Sequence, residues 1–185
     1  MSQEKEKEAV HTEFTVEGLL TEKGVQVSKK QSVDELSQRG YGTLEDSKLR
    51  LEFYEALYLL DKGLLEIRDK KKKKIDFQKL LHAYESKDEN AWTKYLAYRD
   101  LRGRGYVVRE GFGLDVDFRV YERGEYGKDT AKFLVLNVQE GKPITLENLA
   151  NVLKQCQSLK KELILVVMNR RGETVYYSVS QLTTV

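Results

Sequence analysis

Few side chains in this sequence pair a reactive type with a position that could aim it. Tyr121 closes the alternating segment DVDFRVY, and Lys161 opens the apolar segment KELILVV. A phenol and an ammonium are groups that acid–base and charge-stabilising chemistry can use. Alternation from Asp115 to Tyr121 puts Asp117, Arg119 and Tyr121 on one strand face. The end of one strand and the start of another need not meet, so spacing alone does not unite Tyr121 with Lys161. The remaining candidates read as structure. Cys156 lies on a helical apolar stripe with no histidine nearby to activate it, and is expected to be a buried thiol. His82 has no second ligand at helical spacing, and no carboxylate or histidine cluster has metal-site spacing, so neither a metal nor another cofactor is implied. Gly103, Gly105, Gly111 and Gly113 sit at a helix end and between strands, whereas a dinucleotide fingerprint runs from strand into helix.

The elements that would position Tyr121 and Lys161 follow from periodicity. Trp92, Tyr95, Leu96, Arg99 and Arg102 recur at helical spacing, and Arg99, Arg102 and Arg104 enrich the last turn in positive charge. YVVR (106–109) and Asp115 to Tyr121 read as strands. Phe133 to Val138 and Leu163 to Met168 are almost continuously apolar, as in strands covered on both faces. Between them Thr145 should cap a helix with the stripe Leu146, Leu149, Leu153, Cys156 and Leu159. A strand-helix-strand of this length predicts a right-handed crossover joining parallel strands. A last strand, Thr174 to Val179, carries the apolar face Val175, Tyr177 and Val179.

The first half is plainer. FTVEGLL and GVQVS flank a turn at Glu22-Lys23-Gly24 and predict a hairpin. Ser32 is expected to cap a short helix ending at Gly40, and Leu49, Phe53, Ala56, Leu57 and Leu60 predict a helix from Leu49 to Leu60, stopped at Gly63. Leu64 to Ile67 reads as a strand. Lys70 to Lys74 read as a solvated hairpin tip, with RNA phosphate as the functional alternative. Phe77, Leu80, Leu81 and Tyr84 share a helix face. The division expected is a charged, disordered tail at 1–13, an N-terminal α/β domain at 14–88 and a C-terminal domain at 89–185. Lys and Arg number 32 against 30 Asp and Glu, leaving a net charge of +2, so any nucleic-acid affinity must come from local patches. A single cysteine precludes an intrachain disulfide, and no apolar run approaches membrane-spanning length; a reducing, cytoplasmic setting is expected, with no membrane.

The order R-G-Y-V-V-R, D-F-R-V-Y-x-R-G, K-F-L-V, helix, K-K-E-L-I-L-V-V, turn, V-Y-Y resembles the C-terminal domain of the archaeal tRNA-splicing endonuclease family. YGTLEDSKLRLEFYEALYLLDKGLLEI resembles that family's N-terminal domain. The resemblance implies a two-domain α/β (α+β) subunit whose C-terminal mixed sheet has restriction-endonuclease-like character. It further implies metal-independent excision of introns from precursor tRNA at bulge-helix-bulge sites, leaving 2′,3′-cyclic phosphate and 5′-hydroxyl ends. In such a family a Tyr helps deprotonate the 2′-hydroxyl, a His protonates the leaving oxygen and a Lys stabilises the charged phosphorane. Tyr121 and Lys161 match the first and last.

The His position falls on Thr130, in T-A-K-F-L-V, and Thr cannot act as an acid near pH 7. Lys154 stands where the family has an Arg that stacks on a bulge base; Arg119 joins it as the second RNA-contact candidate. The late turn, acidic in many members and inserted into a neighbouring subunit, reads here Asn169-Arg170-Arg171-Gly172. The expectation is a non-catalytic, structural subunit of a heteromeric endonuclease, two copies pairing with two of a catalytic chain through Val175, Tyr177 and Val179. The alternatives are a catalytic subunit using Tyr121 and Lys161 without the His, and an RNA-binding scaffold.

Overall fold

The computed structural model describes residues 15–111, 113 and 115–181. The tail expected at 1–13, together with Phe14 and His11, lies outside them. Strand β1 (Val16–Thr21) turns at Glu22-Lys23 into antiparallel β2 (Gly24–Val27), as the hairpin reading predicts. Gly24 holds φ +137°, and a Cβ there would stand 2.1 Å from the Leu51 carbonyl oxygen, so the turn admits only glycine.

Helix α1 (Lys30–Gln38) corrects the expected cap: it begins before Ser32, which is buried within it. Val33 N–H reaches the Lys29 carbonyl at 3.0 Å, and the buried pair Val33 and Leu36 fixes the helix against the sheet. The predicted helix from Leu49 also shortens. Strands β3 (Thr43–Glu45) and β4 (Lys48–Leu51) come first, with Leu49 and Leu51 both buried and Arg50 between them, facing out. The Leu49-to-Phe53 step imitates helical spacing, but strand alternation decides the fold of 48–51. Helix α2 (Phe53–Asp61) starts where Glu55 at its third position accepts the Glu52 N–H at 2.9 Å.

Strand β5 (Leu65–Arg68) pairs parallel with β1 and antiparallel with β6 (Lys74–Ile75), completing a sheet of order β3-β4-β2-β1-β5-β6. Helix α3 (Phe77–Glu85) follows, its N-cap Asp76 accepting the Lys79 N–H at 2.9 Å, with Leu80, Leu81 and Tyr84 buried. Helix α4 (Ala91–Gly103) then leads to β7 (Val107–Glu110), β8 (Phe118–Tyr121), β9 (Phe133–Gln139), α5 (Leu146–Ser158), β10 (Glu162–Met168) and β11 (Thr174–Val179). Their sheet runs β11-β10-β9-β8-β7, with β9 and β10 parallel across α5 and every other neighbour antiparallel. This is the mixed α/β fold that the sequence implies. No helix of the described residues is long and apolar enough to cross a membrane.

Two further details differ from expectation. The strand ending at Tyr121 begins at Phe118, because Asp117 is drawn off to accept the Asn137 N–H at 2.8 Å and to pair with Lys94 at 3.2 Å. On α5, Thr145 caps as predicted, accepting the Asn148 N–H, but Leu146 is 84% exposed and Leu159 46%. Val152 and Cys156 carry the contact instead, over Leu134 and Leu163 at one end of the sheet. The two exposed leucines are the first residue and the C-cap of the helix.

The two sheets share one core. Tyr54 of α2 stands 5.0 Å from the Tyr98 ring of α4 and 5.1 Å from Phe118 of β8, all three buried. Beside them the Glu55 carboxylate, 2% exposed, accepts the Gly42 N–H on both oxygens at 3.1 and 3.2 Å and meets Arg109 at 3.4 Å. Arg109 also donates to the Gly40 carbonyl and the Thr43 hydroxyl, while Arg102 donates to the Arg39 carbonyl and lies over the Tyr41 ring. Two C-terminal arginines thus grip the turn that follows α1.

Burial pushes the neighbouring Glu52 carboxyl up to about 7, the Arg50 partner offsetting only part of the desolvation. A carboxyl whose folded pKa is raised binds its proton more tightly folded than unfolded, so its contribution is greatest below about pH 4.5 and is lost as pH rises to about 7. Glu52→Gln should flatten that fall, measured as unfolding free energy against pH, by about 1–2 kcal/mol between pH 5 and 8 after discounting for partial exposure. An unchanged pH profile in the variant would show that Glu52 ionises normally.

Candidate functional site

Strand direction, rather than sequence spacing, brings the candidate residues together. β8 runs antiparallel to β9, with Val120 opposite Phe133, so Tyr121 at the end of β8 comes level with Lys132 at the approach to β9. β10 runs parallel to β9, with Glu162 opposite Phe133, so Lys161 also stands level with Lys132. Backbone hydrogen bonds clamp this corner: Lys132 N–H to Val120 O and Glu162 N–H to Lys132 O, each 3.1 Å. Side-chain parity from Arg119, Leu134 and Leu163 sets Tyr121, Lys132 and Lys161 on the face that α5 covers.

Each residue has a specific local support. Lys161 follows the α5 C-cap in a Schellman turn: Lys160 takes φ +55°, and Lys161 N–H returns 2.9 Å to the Cys156 carbonyl. Its ammonium then donates to Thr130 Oγ1 at 2.5 Å. Thr130 is fixed from the other side by Asp129, whose Oδ1 accepts the Thr130 N–H at 2.6 Å. Tyr121 is half-buried and packs edge-on against Tyr126 at 5.1 Å. Tyr126 in turn lies where a Cβ on Gly40 would meet it at 3.2 Å, which ties the loop after β8 to the turn after α1.

Chemically, the corner offers the Lys161 ammonium joined to the Thr130 hydroxyl, with the Tyr121 phenol on the same face two strands away. Such a set can hold a phosphate oxygen and neutralise charge building on it. A threonine hydroxyl does not release a proton to a leaving oxygen at neutral pH. His82, the one histidine among the described residues, is exposed on α3. Lys132, paired with Glu122 at 3.0 Å, shares the row with Tyr121 and Lys161 and was not singled out from sequence. Only the strand pairing could have found it.

The other expected residues are spread more widely. Arg119 lies on the Tyr121 face of β8 and donates to the Glu110 carbonyl at 2.8 Å. Lys154 is exposed on α5. Cys156 is buried, and burial raises its thiol pKa. Val175 and Tyr177 are 48% and 53% exposed on β11, the edge of the sheet, while Val179 packs toward α5. Arg170 and Arg171 are exposed at the turn between β10 and β11, where the Asn169 carboxamide oxygen accepts the Arg171 and Glu173 N–H groups.

This fold agrees with comparison to known proteins. Residues 16–81 match the family model described as tRNA intron endonuclease, N-terminal domain, and residues 91–177 match tRNA intron endonuclease, catalytic C-terminal domain. The chain belongs to the tRNA-intron endonuclease family. A tRNA-splicing endonuclease of Methanococcus maripaludis is 33% identical over 168 residues, covering 91% of this chain and 95% of that protein. One from Pyrococcus furiosus is 31% identical over 165 residues, covering 89% and 95%. The likeness to these endonucleases thus spans both sheets and the shared core between them.

Proposed function

We propose that this chain is the non-catalytic, structural subunit of a heteromeric tRNA-splicing endonuclease acting on precursor tRNA at bulge-helix-bulge introns. The observation that carries this reading is Thr130. The position the family resemblance assigns to a general acid holds a hydroxyl, already engaged by Lys161 and Asp129. Tyr121 and Lys161 are the retained members of the family's set, with Arg119 and Lys154 as RNA contacts. The catalytic partner would meet β11, where Val175 and Tyr177 present apolar surface on a sheet edge whose backbone groups can pair with a second strand. The two units inside the chain are proposed to divide near residue 88, and the chain to work in the cytoplasm.

The test compares the chain alone with the chain bound to a histidine-bearing partner. The isolated chain should leave a bulge-helix-bulge RNA intact and the complex should cleave it. In the complex, Lys161→Ala on this chain should change the rate less than twofold. Cleavage by the isolated chain at the rate of the complex, abolished by Lys161→Ala, would instead make this the catalytic subunit.

A further inference from the structure

The hairpin between β5 and β6 carries Lys70, Lys71, Lys72, Lys73 and Lys74, and its backbone is held in one shape. Asp69 Oδ1 accepts the N–H groups of Lys71 and Lys73, each at 2.8 Å, Asp69 N–H reaches the Lys73 carbonyl at 3.0 Å, and Lys72 takes φ +63°. Lys74 pairs with Glu66 at 3.3 Å; among the described residues Lys70, Lys71, Lys72 and Lys73 have no carboxylate partner. The tip does not stand alone. An open groove of about 960 Å³ joins Lys70 and Lys71 to Lys23 of the β1–β2 turn and to Lys87 beyond α3, with Leu19 and Leu20 in its floor. Lys87 donates to the Glu22 carbonyl, which fixes the two tips as neighbours.

Six ammonium groups, those of Lys23, Lys70, Lys71, Lys72, Lys73 and Lys87, therefore crowd one corner of the first sheet. The carboxylates at this corner are Glu22, Glu45 and Asp69; Asp69 is turned inward on the loop backbone, and Glu45 is paired with Arg50, which adds a seventh positive charge. The corner has a net charge of +4 on a chain whose total is only +2. Gathering like charges within a Debye length on a fixed backbone is unfavourable unless a polyanion meets them. Lysines that act as mobile point charges suit a phosphate backbone rather than base edges. β6 lies at the opposite edge of its sheet from β3, and β3 adjoins the Gly40–Gly42 turn on which Tyr126 packs. Four strands lie between β6 and β3 in the sheet order, and Glu45, at the end of β3 away from Gly42, also lines the groove.

We infer that this lysine corner is a second RNA-binding surface, holding phosphates of the precursor's tRNA body remote from the intron junction. The inference rests on the precursor-tRNA reading above. It is tested with the full chain, alone and in its complex, by replacing Lys70, Lys71, Lys72 and Lys73 together with Gln. Binding to an intron-containing precursor tRNA and to a short bulge-helix-bulge duplex lacking the tRNA body is measured from 50 to 400 mM salt. For the precursor, the slope of log affinity against log salt should flatten by about 2 and the affinity at 0.1 M fall by roughly 30-fold or more. The short duplex should bind the variant and the unaltered chain alike, and thermal melting confirms that the variant is folded.

An unchanged slope and affinity for the precursor would overturn the inference. So would unchanged RNA binding with lost affinity for phosphatidylserine vesicles, which would assign the corner to a membrane surface. If the unaltered chain binds neither RNA, alone or in its complex, the precursor-tRNA reading itself fails, and the two failures are thereby distinguished.

Discussion

Thr130→His is expected to give the isolated chain cleavage of a bulge-helix-bulge RNA at least about 100-fold above the unaltered protein, the lower range of what a positioned general acid contributes. The remaining frame is in place: Tyr121 and Lys161 stand level across β8, β9 and β10, and Lys161 already reaches residue 130. An imidazole there would sit beside that ammonium, which disfavours its charged form and moves its pKa below the ordinary value of about 6.5. Activity should therefore fall as pH rises through about 6 to 6.5, because the acid must be protonated to act. Thr130→Gln, of similar size without a titrating proton, should show no gain. A folded, RNA-binding Thr130→His protein that stays silent at pH 5.5 would mean that more than the acid has been lost, and would favour a scaffold.

Arg109→Met should lower the unfolding free energy by about 3 kcal/mol, the low end for stripping one partner from a buried ion pair. For a chain of this size that is a drop in Tm of roughly 6–12 °C. Glu55 keeps the Gly42 and Glu52 N–H bonds in the variant but loses its cation, and Arg109's bonds to Gly40 and Thr43 go with it. Burial already raises the Glu55 pKa and Arg109 counters it. Without the arginine the carboxyl should hold its proton to higher pH, so the loss should be larger at pH 8 than at pH 5. Adding Glu55→Gln should recover part of it. A single-variant loss below about 1 kcal/mol at both pH values would show that the two backbone amides suffice to hold the charge.

How much of this the sequence disclosed depends on what each residue's neighbours were. Continuous apolar runs identified β9 and β10, and the helix between them implied their parallel pairing, because those signals are local. The spacing of Leu49 to Phe53 suits either a helix or a strand, and β2, which pairs with Leu49 and Leu51, decides for the strand. Leu146 and Leu159 lie on a sound apolar stripe, yet they stand at the first residue and the C-cap of α5 and remain exposed. At the corner, Tyr121 and Lys161 could be named from resemblance, but their proximity required the pairing directions of three strands. Glu55 and Arg109 gave no signal at all: each is an ordinary charged residue of a helix or strand until the turn after α1 folds between them.

The ring contacts of Tyr54 with Tyr98 and Phe118 also bear on how the protein comes to exist in time. They join residues far apart along the chain, and neither sheet can finish its inner surface without the other. Closing such distant contacts is slow, because the entropy of ordering the intervening chain is lost before the rings are in place. Within the described residues of the first half Tyr54 meets, of the aromatic rings, only that of Tyr84 on α3, so α4 and β8 must dock before its burial is complete.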